Sequence, residues 1–215
     1  NHDPACEQLS TLTWPSLVTV YGSEDVQTER FETAGGDAVA VSGISYRTAK
    51  EKRRLHQRFS EAETPAFHVA VLHCSVASHP GREAYCECRL DELTGRGVDY
   101  WALGHVHTRA ILSEAPHVVY PGNPQGREIR ETGPRGCMVV RVDPRQGAVR
   151  ADFHATDAVR WERADVSLDA VETLDGVEAA LLGTAEALRE AAEGRDVVGR
   201  IRLVGRSPLF HALSD

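Results

Sequence analysis

The apolar residues of this chain fall in short runs, most of which predict β-strands. Residues 67–72 are uninterrupted apolar sequence apart from His68, which is typical of a strand buried in a sheet that is covered on both faces. Other runs are β-branched or alternating and are separated by glycine or proline, which also favours strands. These further strands are predicted at 17–21, 26–32, 38–44, 99–103, 110–112, 118–120, 137–142, 148–153, 159–166 and 197–204.

Helical periodicity is clearest between residues 174 and 192. There Val177, Leu181 and Leu188 lie on one stripe, which indicates an amphipathic helix. Shorter or more charged helices are predicted at 6–12, 48–60 and 90–93. Strands and helices together predict an α/β fold. The pattern of residues changes from Arg160 onward, and we predict two domains, a core at 1–155 and a smaller α+β domain at 156–215.

The composition is that of an ordinary globular chain, with 41% hydrophobic and 26% charged residues over 215 positions. No apolar run approaches the roughly 18 residues of a membrane span, and the first residues do not resemble a signal peptide. We therefore expect a cytoplasmic protein. The formal net charge of −8 argues against a broad basic surface that would bind DNA phosphates.

The five cysteines do not predict a disulfide framework or a zinc site. Their number is odd, and the Cys86-x-Cys88 pair lacks the two-residue spacing and the second pair of a zinc site. Reduced thiols in a cytoplasmic protein are the simplest interpretation. The full set is Cys6, Cys74, Cys86, Cys88 and Cys137.

Histidines follow two of the predicted strands. Gly104 ends one strand, and His105 and His107 follow it; His73 ends another. Histidines at the carboxyl end of strands suit a metal site, because α/β sheets place their chemistry there. Taken singly, the His-x-His pair is equally well explained as two surface residues, and His73 as a core histidine.

The order of the motifs along this chain resembles that of a known protein family. Asn1-His2-Asp3, Leu72-His73 and Gly104-His-Val-His107 occur in the order seen in calcineurin-like metallophosphoesterases. With Val119-Tyr-Pro-Gly-Asn-Pro-Gln-Gly-Arg127 and Glu131-Thr-Gly-Pro-Arg-Gly-Cys137, the chain resembles the bacterial SbcD/YhaO-type DNA-repair exonucleases. The resemblance runs from Asn1 to about Asp143 and is weaker beyond.

The resemblance implies a fold and a metal site. The fold would be a two-sheet sandwich flanked by helices, followed by a small α+β accessory domain. Two Mn²⁺ ions, or Fe²⁺ or Mg²⁺, would be bound, with Asn1, His73 and His105 ligating one ion and His107 the other. His2 would be catalytic, beside the phosphate. Arg127 follows a glycine-rich turn near this proposed site, where it would either contact a substrate phosphate or hold its loop in place through a carboxylate.

The resemblance also implies that residues are missing before Asn1. Relatives carry an upstream βαβ segment with Asp-x-His and Gly-Asp motifs, and neither motif occurs here. We therefore expect an N-terminally truncated chain, inactive alone, from a protein that hydrolyses phosphodiesters of DNA. Its partners would be DNA, an SbcC-like ATPase and a second copy in a homodimer. Two alternatives remain: a phosphoesterase acting on small phosphodiesters or phosphoproteins, which the acidic charge favours slightly, and a non-catalytic binding module.

Overall fold

The computed structural model describes residues 12–60, 67–76, 85–143 and 148–214, which form two compact units. The first comprises Asn1–Gly122 and Met138–Asp152, and the second Asn123–Cys137 and Phe153–Asp215. The units differ from the domains expected from sequence, 1–155 and 156–215, in grouping Asn123–Cys137 and residues 153–155 with the second unit. The domain boundary itself stays a prediction.

The first unit is built on a six-stranded sheet with the order β1-β2-β3-β4-β6-β5. Strands β2, β3, β4 and β6 run parallel, and the edge strands β1 and β5 are antiparallel to their neighbours. The strands are β1 Gln27–Glu32, β2 Ala38–Gly43, β3 Phe67–His73, β4 Tyr100–Gly104, β5 Ala110–Glu114 and β6 His117–Tyr120.

One face of this sheet carries the main hydrophobic core. Trp101 of β4 is fully buried there, with Phe59 packed against it at 5.1 Å between ring centroids. The indole Nε1 of Trp101 donates to the carbonyl oxygen of Leu93 at 3.2 Å. Leu93 belongs to helix α1, Leu90–Thr94, so this bond ties the helix to the sheet. The core thereby fixes the positions of the central strands.

The remaining elements include a two-stranded sheet and a β-α-β arrangement. Strands β7, Gly136–Asp143, and β8, Ala148–Ala155, form the two-stranded sheet. In the second unit, β9 and β10 pair in parallel, from Val159↔Asp196 to Ser167↔Val204. The elements of this unit are β9 Val159–Ser167, helix α2 Leu174–Ala191, β10 Asp196–Val204 and helix α3 Phe210–Ser214.

Helix α2 covers one face of the β9–β10 pair. Its N-cap Thr173 accepts a hydrogen bond from the backbone N–H of Gly176 at 3.1 Å, which satisfies a free donor of the first turn. Val177 and Leu181 then pack against Val166 and Ile201 of the strands. The predicted α/β fold is confirmed.

Two predicted elements are wrong. Residues 17–21 are not a strand: Leu17 is 97% exposed, and it is the Tyr21 hydroxyl that binds β2, donating to the carbonyl oxygen of Val41 at 2.9 Å. Residues 48–60 are not a helix either, apart from a 3-10 turn at Leu55–Arg58. The helix predicted at 6–12 lies outside the described residues, except for Leu12.

The side chain of Glu51 explains the missing helix. Its carboxylate accepts hydrogen bonds from the backbone N–H groups of Arg47 at 3.2 Å and Arg53 at 2.9 Å. It also accepts from the Arg53 guanidinium. These bonds replace helical backbone bonds with a loop centred on a buried carboxylate.

None of the helices in the described ranges has the length and apolar character needed to cross a bilayer.

The buried carboxylate of Glu51 predicts a pH-dependent stability. Hydrogen bonds from Arg53 lower its pKa from 4.5 to about 2. Because the folded pKa lies below the unfolded value, the stabilisation is complete above about pH 4.5 and is lost as the pH falls through about 2. Urea titration gives the free energies of unfolding of the native protein and of Glu51→Gln. The difference between these two free energies should be about 3 kcal/mol smaller at pH 2 than at pH 5. The exposed Glu186→Gln is the control. If the difference in free energy of unfolding between the native protein and Glu51→Gln does not change with pH, this account is wrong.

Candidate metal centre

Two histidines lie side by side where β3 and β4 end. His73 is the last residue of β3 and is paired in register with Gly104, the last residue of β4; His105 follows immediately. The ring centroids of His73 and His105 are 5.2 Å apart. With metal–nitrogen distances near 2.1 Å, two imidazoles on one ion have centroids about 4.5 to 5.3 Å apart. The pair therefore has the separation expected of two ligands of one ion.

The backbone around Gly104 is adapted to this pair. A Cβ at position 104 would lie 2.8 Å from Nδ1 of His73, so a larger residue would displace the ring. His105 itself has φ of +96°, a conformation that L-residues rarely adopt and that costs on the order of 1–3 kcal/mol. Such strain is concentrated at functional sites, which supports a functional role for His105.

Two tyrosines flank the histidine pair. The Tyr46 ring stands edge-on to His73 at 5.4 Å, and its hydroxyl donates to the carbonyl oxygen of His73 at 2.5 Å. Tyr85 stands edge-on to His105 at 5.6 Å. Sequence reasoning did not identify either residue. Tyr46 follows β2, the parallel neighbour of β3, so the strand order was the signal that would have found it.

The Tyr120-Pro-Gly122 segment supports the loops that follow both histidines. The Tyr120 hydroxyl donates to the carbonyl oxygen of Cys74 at 2.8 Å and accepts from the N–H of Val76 at 3.0 Å. Gly122 has φ of +84°, and a Cβ there would approach the carbonyl oxygen of His107 to 2.9 Å. The motif noticed in the sequence thus has a positioning role in the first unit.

The other predicted ligands are less well defined. His107 lies half-buried in the loop that begins at His105. Asn1 and His2 lie outside the described residues. Across residues 12–60, 67–76, 85–143 and 148–214, no group of three or more His, Cys, Asp or Glu side chains forms a metal cluster. The described residues thus supply a pair of imidazoles, which are common ligands of divalent transition metals, and the complete ligand set stays a prediction.

Arg127 belongs to the second unit, where a carboxylate does hold its loop. The Glu131 carboxylate accepts from the backbone N–H of Arg127 at 2.8 Å and from the Asn123 amide at 3.0 Å. The bond is therefore made by the main chain of Arg127. Its exposed guanidinium forms no ion pair with any described residue and remains available to a phosphate.

Three free cysteines are buried near the end of β3. Cys88 and Cys74 have their sulfur atoms 3.8 Å apart, and Cys86 is buried close by in sequence. Burial raises the pKa of Cys86 to about 11, and the hydrogen bond with Cys88 raises the pKa of Cys74. Raised pKa values disfavour the thiolate, so these residues behave as core thiols. Cys137 is free and exposed.

Comparison with known proteins agrees with this geometry. Residues 161–215 match the family described as metallophosphoesterase YhaO, middle domain. Over 209 residues, the chain is 32% identical to the uncharacterized metallophosphoesterase YhaO of Bacillus subtilis (strain 168). Both matches are to metallophosphoesterases, and the chain is similar to them. Metallophosphoesterases use divalent metals, which accords with the imidazole pair. The match covers 97% of this chain and 50% of the relative, so the chain spans about half of that protein's length.

Removal of the Tyr120 hydroxyl tests its positioning role. Tyr120→Phe leaves the buried carbonyl of Cys74 and N–H of Val76 without this partner, which should lower the free energy of unfolding by about 1–3 kcal/mol. Tyr100→Phe is the matched control, since Tyr100 is also a buried residue and its hydroxyl makes no hydrogen bond within the described residues. Urea denaturation measures both. Equal losses in the two variants would show that the hydroxyl bridge contributes nothing specific.

Proposed function

We propose that the protein containing this chain is a metal-dependent phosphodiesterase that hydrolyses DNA, as an exonuclease or endonuclease in DNA repair. The observation that carries the proposal is the His73–His105 pair at the carboxyl edge of two adjacent parallel strands, with ring centroids 5.2 Å apart. The metallophosphoesterase family supports phosphoester hydrolysis in general. The similarity of the 119–127 segment to DNA-repair exonucleases favours DNA as the substrate.

The residues take distinct roles in this proposal. Asn1, His73 and His105 would hold one divalent ion, and His107 a second, with Mn²⁺ as the metal. When bound, such ions act as Lewis acids and lower the pKa of a bound water. The Tyr46 hydroxyl fixes the main chain of His73, while Tyr120 fixes the loop that follows. His2 would donate a proton to the leaving oxygen, and the Arg127 guanidinium would meet a phosphate.

The acidic composition supports a second candidate substrate class. A formal charge of −8 suits a phosphoesterase that acts on small phosphodiesters or phosphoproteins better than one that binds long polyanions. A comparison of Mn²⁺-dependent hydrolysis of DNA with that of bis(p-nitrophenyl) phosphate separates the two. The cytoplasmic location, the SbcC-like ATPase partner and homodimerisation are further parts of the proposal.

Substitution of His105 tests the site directly. In the intact protein, His105→Ala should lower Mn²⁺-dependent DNA hydrolysis by more than about 100-fold, because even residues that only support metal ligands typically contribute 10- to 100-fold. It should also weaken Mn²⁺ binding measured by calorimetry.

His117→Ala is the control for this experiment. His117 begins β6 and stacks on Tyr100 at 6.1 Å, at the opposite end of the same sheet. Its replacement should leave both hydrolysis and Mn²⁺ binding near the native level. If neither variant loses activity, His105 is not part of the site, and if the native protein neither binds Mn²⁺ nor hydrolyses a phosphodiester, the non-catalytic alternative is correct.

A further inference from the structure

We propose that Ser75 is a positioning residue of the candidate metal centre, because its hydrogen bonds to the 85–88 segment hold the Tyr85 ring against the imidazole of His105. The inference rests on the proposed function for the identity of the bound ion, a divalent metal. The contacts that carry it all lie within the first unit.

The N–H, the carbonyl and the hydroxyl of Ser75 are all bonded to this segment. The Ser75 N–H donates to the carbonyl oxygen of Tyr85 at 3.0 Å, and the Ser75 hydroxyl oxygen accepts from the N–H of Tyr85 at 3.2 Å. The Ser75 carbonyl oxygen accepts from the N–H of Cys88 at 3.0 Å. Val76 and Cys88 form a parallel β-bridge beside these bonds. Since Ser75 lies two residues after His73, the bonds attach the segment to the loop that follows this histidine.

The same segment contacts the second histidine of the pair. The ring of Tyr85 stands edge-on to that of His105, with centroids 5.6 Å apart and an angle of 89° between the ring planes. Aromatic rings favour this arrangement, because their edges are positive and their faces negative. Ser75 therefore connects the loop after His73 to the orientation of the His105 ring.

The backbone strain at this site shows why such support is needed. His105 has φ of +96°, and Cys86, inside the segment, has φ of +46°. Strained conformations persist only where the surrounding contacts hold them. The N–H of Cys86 donates to the carbonyl oxygen of Glu51 at 3.0 Å, and Tyr85 provides a ring contact for His105. Release of the segment would free the His105 imidazole to turn away from His73.

The first test measures Mn²⁺ affinity of the intact protein by calorimetry. Ser75→Ala removes the hydroxyl that accepts from the N–H of Tyr85. It should weaken Mn²⁺ binding by about 10-fold or more, the usual effect of losing a group that orients a metal ligand without touching the metal. Ser75→Thr retains a hydroxyl at this position and should restore near-native affinity. If Ser75→Thr binds Mn²⁺ as weakly as Ser75→Ala, the hydroxyl has no positioning role.

Two substitutions of Tyr85 test whether its ring makes the decisive contact. Tyr85→Phe retains the ring and should bind Mn²⁺ as the native protein does. Tyr85→Leu loses the ring and should weaken Mn²⁺ binding as much as Ser75→Ala does. Equal losses in Tyr85→Phe and Tyr85→Leu would overturn the assignment of the ring.

Ser113→Ala is the matched control. The Ser113 hydroxyl oxygen also accepts from a backbone N–H, that of Ala115, at 3.3 Å. Ser113 is paired with Val118, near the start of β6, so it lies at the opposite end of the sheet from the histidine pair. The substitution should leave Mn²⁺ affinity unchanged. A loss in Ser75→Ala no larger than that in Ser113→Ala would contradict the proposal.

The second test needs no metal and separates this inference from the proposed function. The ring carbon–proton resonances of His105 are followed by NMR in EDTA. Ser75→Ala and Tyr85→Leu should each shift them, because the Tyr85 ring leaves its place. The resonances of His117, which stacks on Tyr100 at the far end of the sheet, should not move.

The outcomes of the NMR experiment are distinct. If the native protein does not bind Mn²⁺ but Ser75→Ala still shifts the His105 resonances, the positioning contact stands and the proposed metal chemistry does not. Unchanged His105 resonances in Ser75→Ala and Tyr85→Leu would overturn the positioning role, whatever the Mn²⁺ affinities. A shift of the His117 resonances as well would indicate a general loss of structure and would also overturn it.

Discussion

The parallel register of β3 and β4 is the constraint on which the candidate site depends. It places His73 opposite Gly104 and brings the next residue, His105, to within 5.2 Å of the His73 ring. The contact is so close that a Cβ at position 104 would lie 2.8 Å from Nδ1 of His73. A shift of one residue in this register would turn His73 to the other face of the sheet. The strand register therefore sets the positions of the glycine and the two histidines together.

A second strand pairing, which involves residues distant in the sequence, stabilises this arrangement of Gly104 and the two histidines. Because β6 lies beside β4, its last residue, Tyr120, reaches the loop after His73, and Gly122 packs against the loop after His105. A tyrosine hydroxyl that bridges a carbonyl and an N–H satisfies two buried groups at once. The conspicuous sequence around Tyr120 thus serves, in the first unit, to hold the histidine loops. From Asn123 onward the same sequence packs within the second unit.

The strands could be predicted from the sequence more reliably than the loops or the site. Alternation of polar and apolar residues, and runs of apolar residues, indicate which faces of a strand are buried. The bounds of β3, β4, β9 and β10 were therefore predicted to within a residue or two. The failed helix at 48–60 depends on the Glu51 carboxylate, whose bonds to backbone N–H groups no periodicity reveals. Motifs identified His73 and His105. Tyr46 and Tyr85 were missed because their contacts depend on strand order and loop conformation rather than local pattern.

Net charge is a poor guide to the surfaces of the second unit, because its carboxylates are used in specific pairs. Asp157 is buried between Arg160 and Arg195, at 2.9 and 3.2 Å, where an unpaired charge would be costly. Asp165 is matched by Arg202 across the strands. The parallel register also places Arg163 and Arg200 face to face, and neither forms an ion pair within the described residues. An acidic chain can therefore present a local cationic face, and strand register rather than composition determines where that face lies.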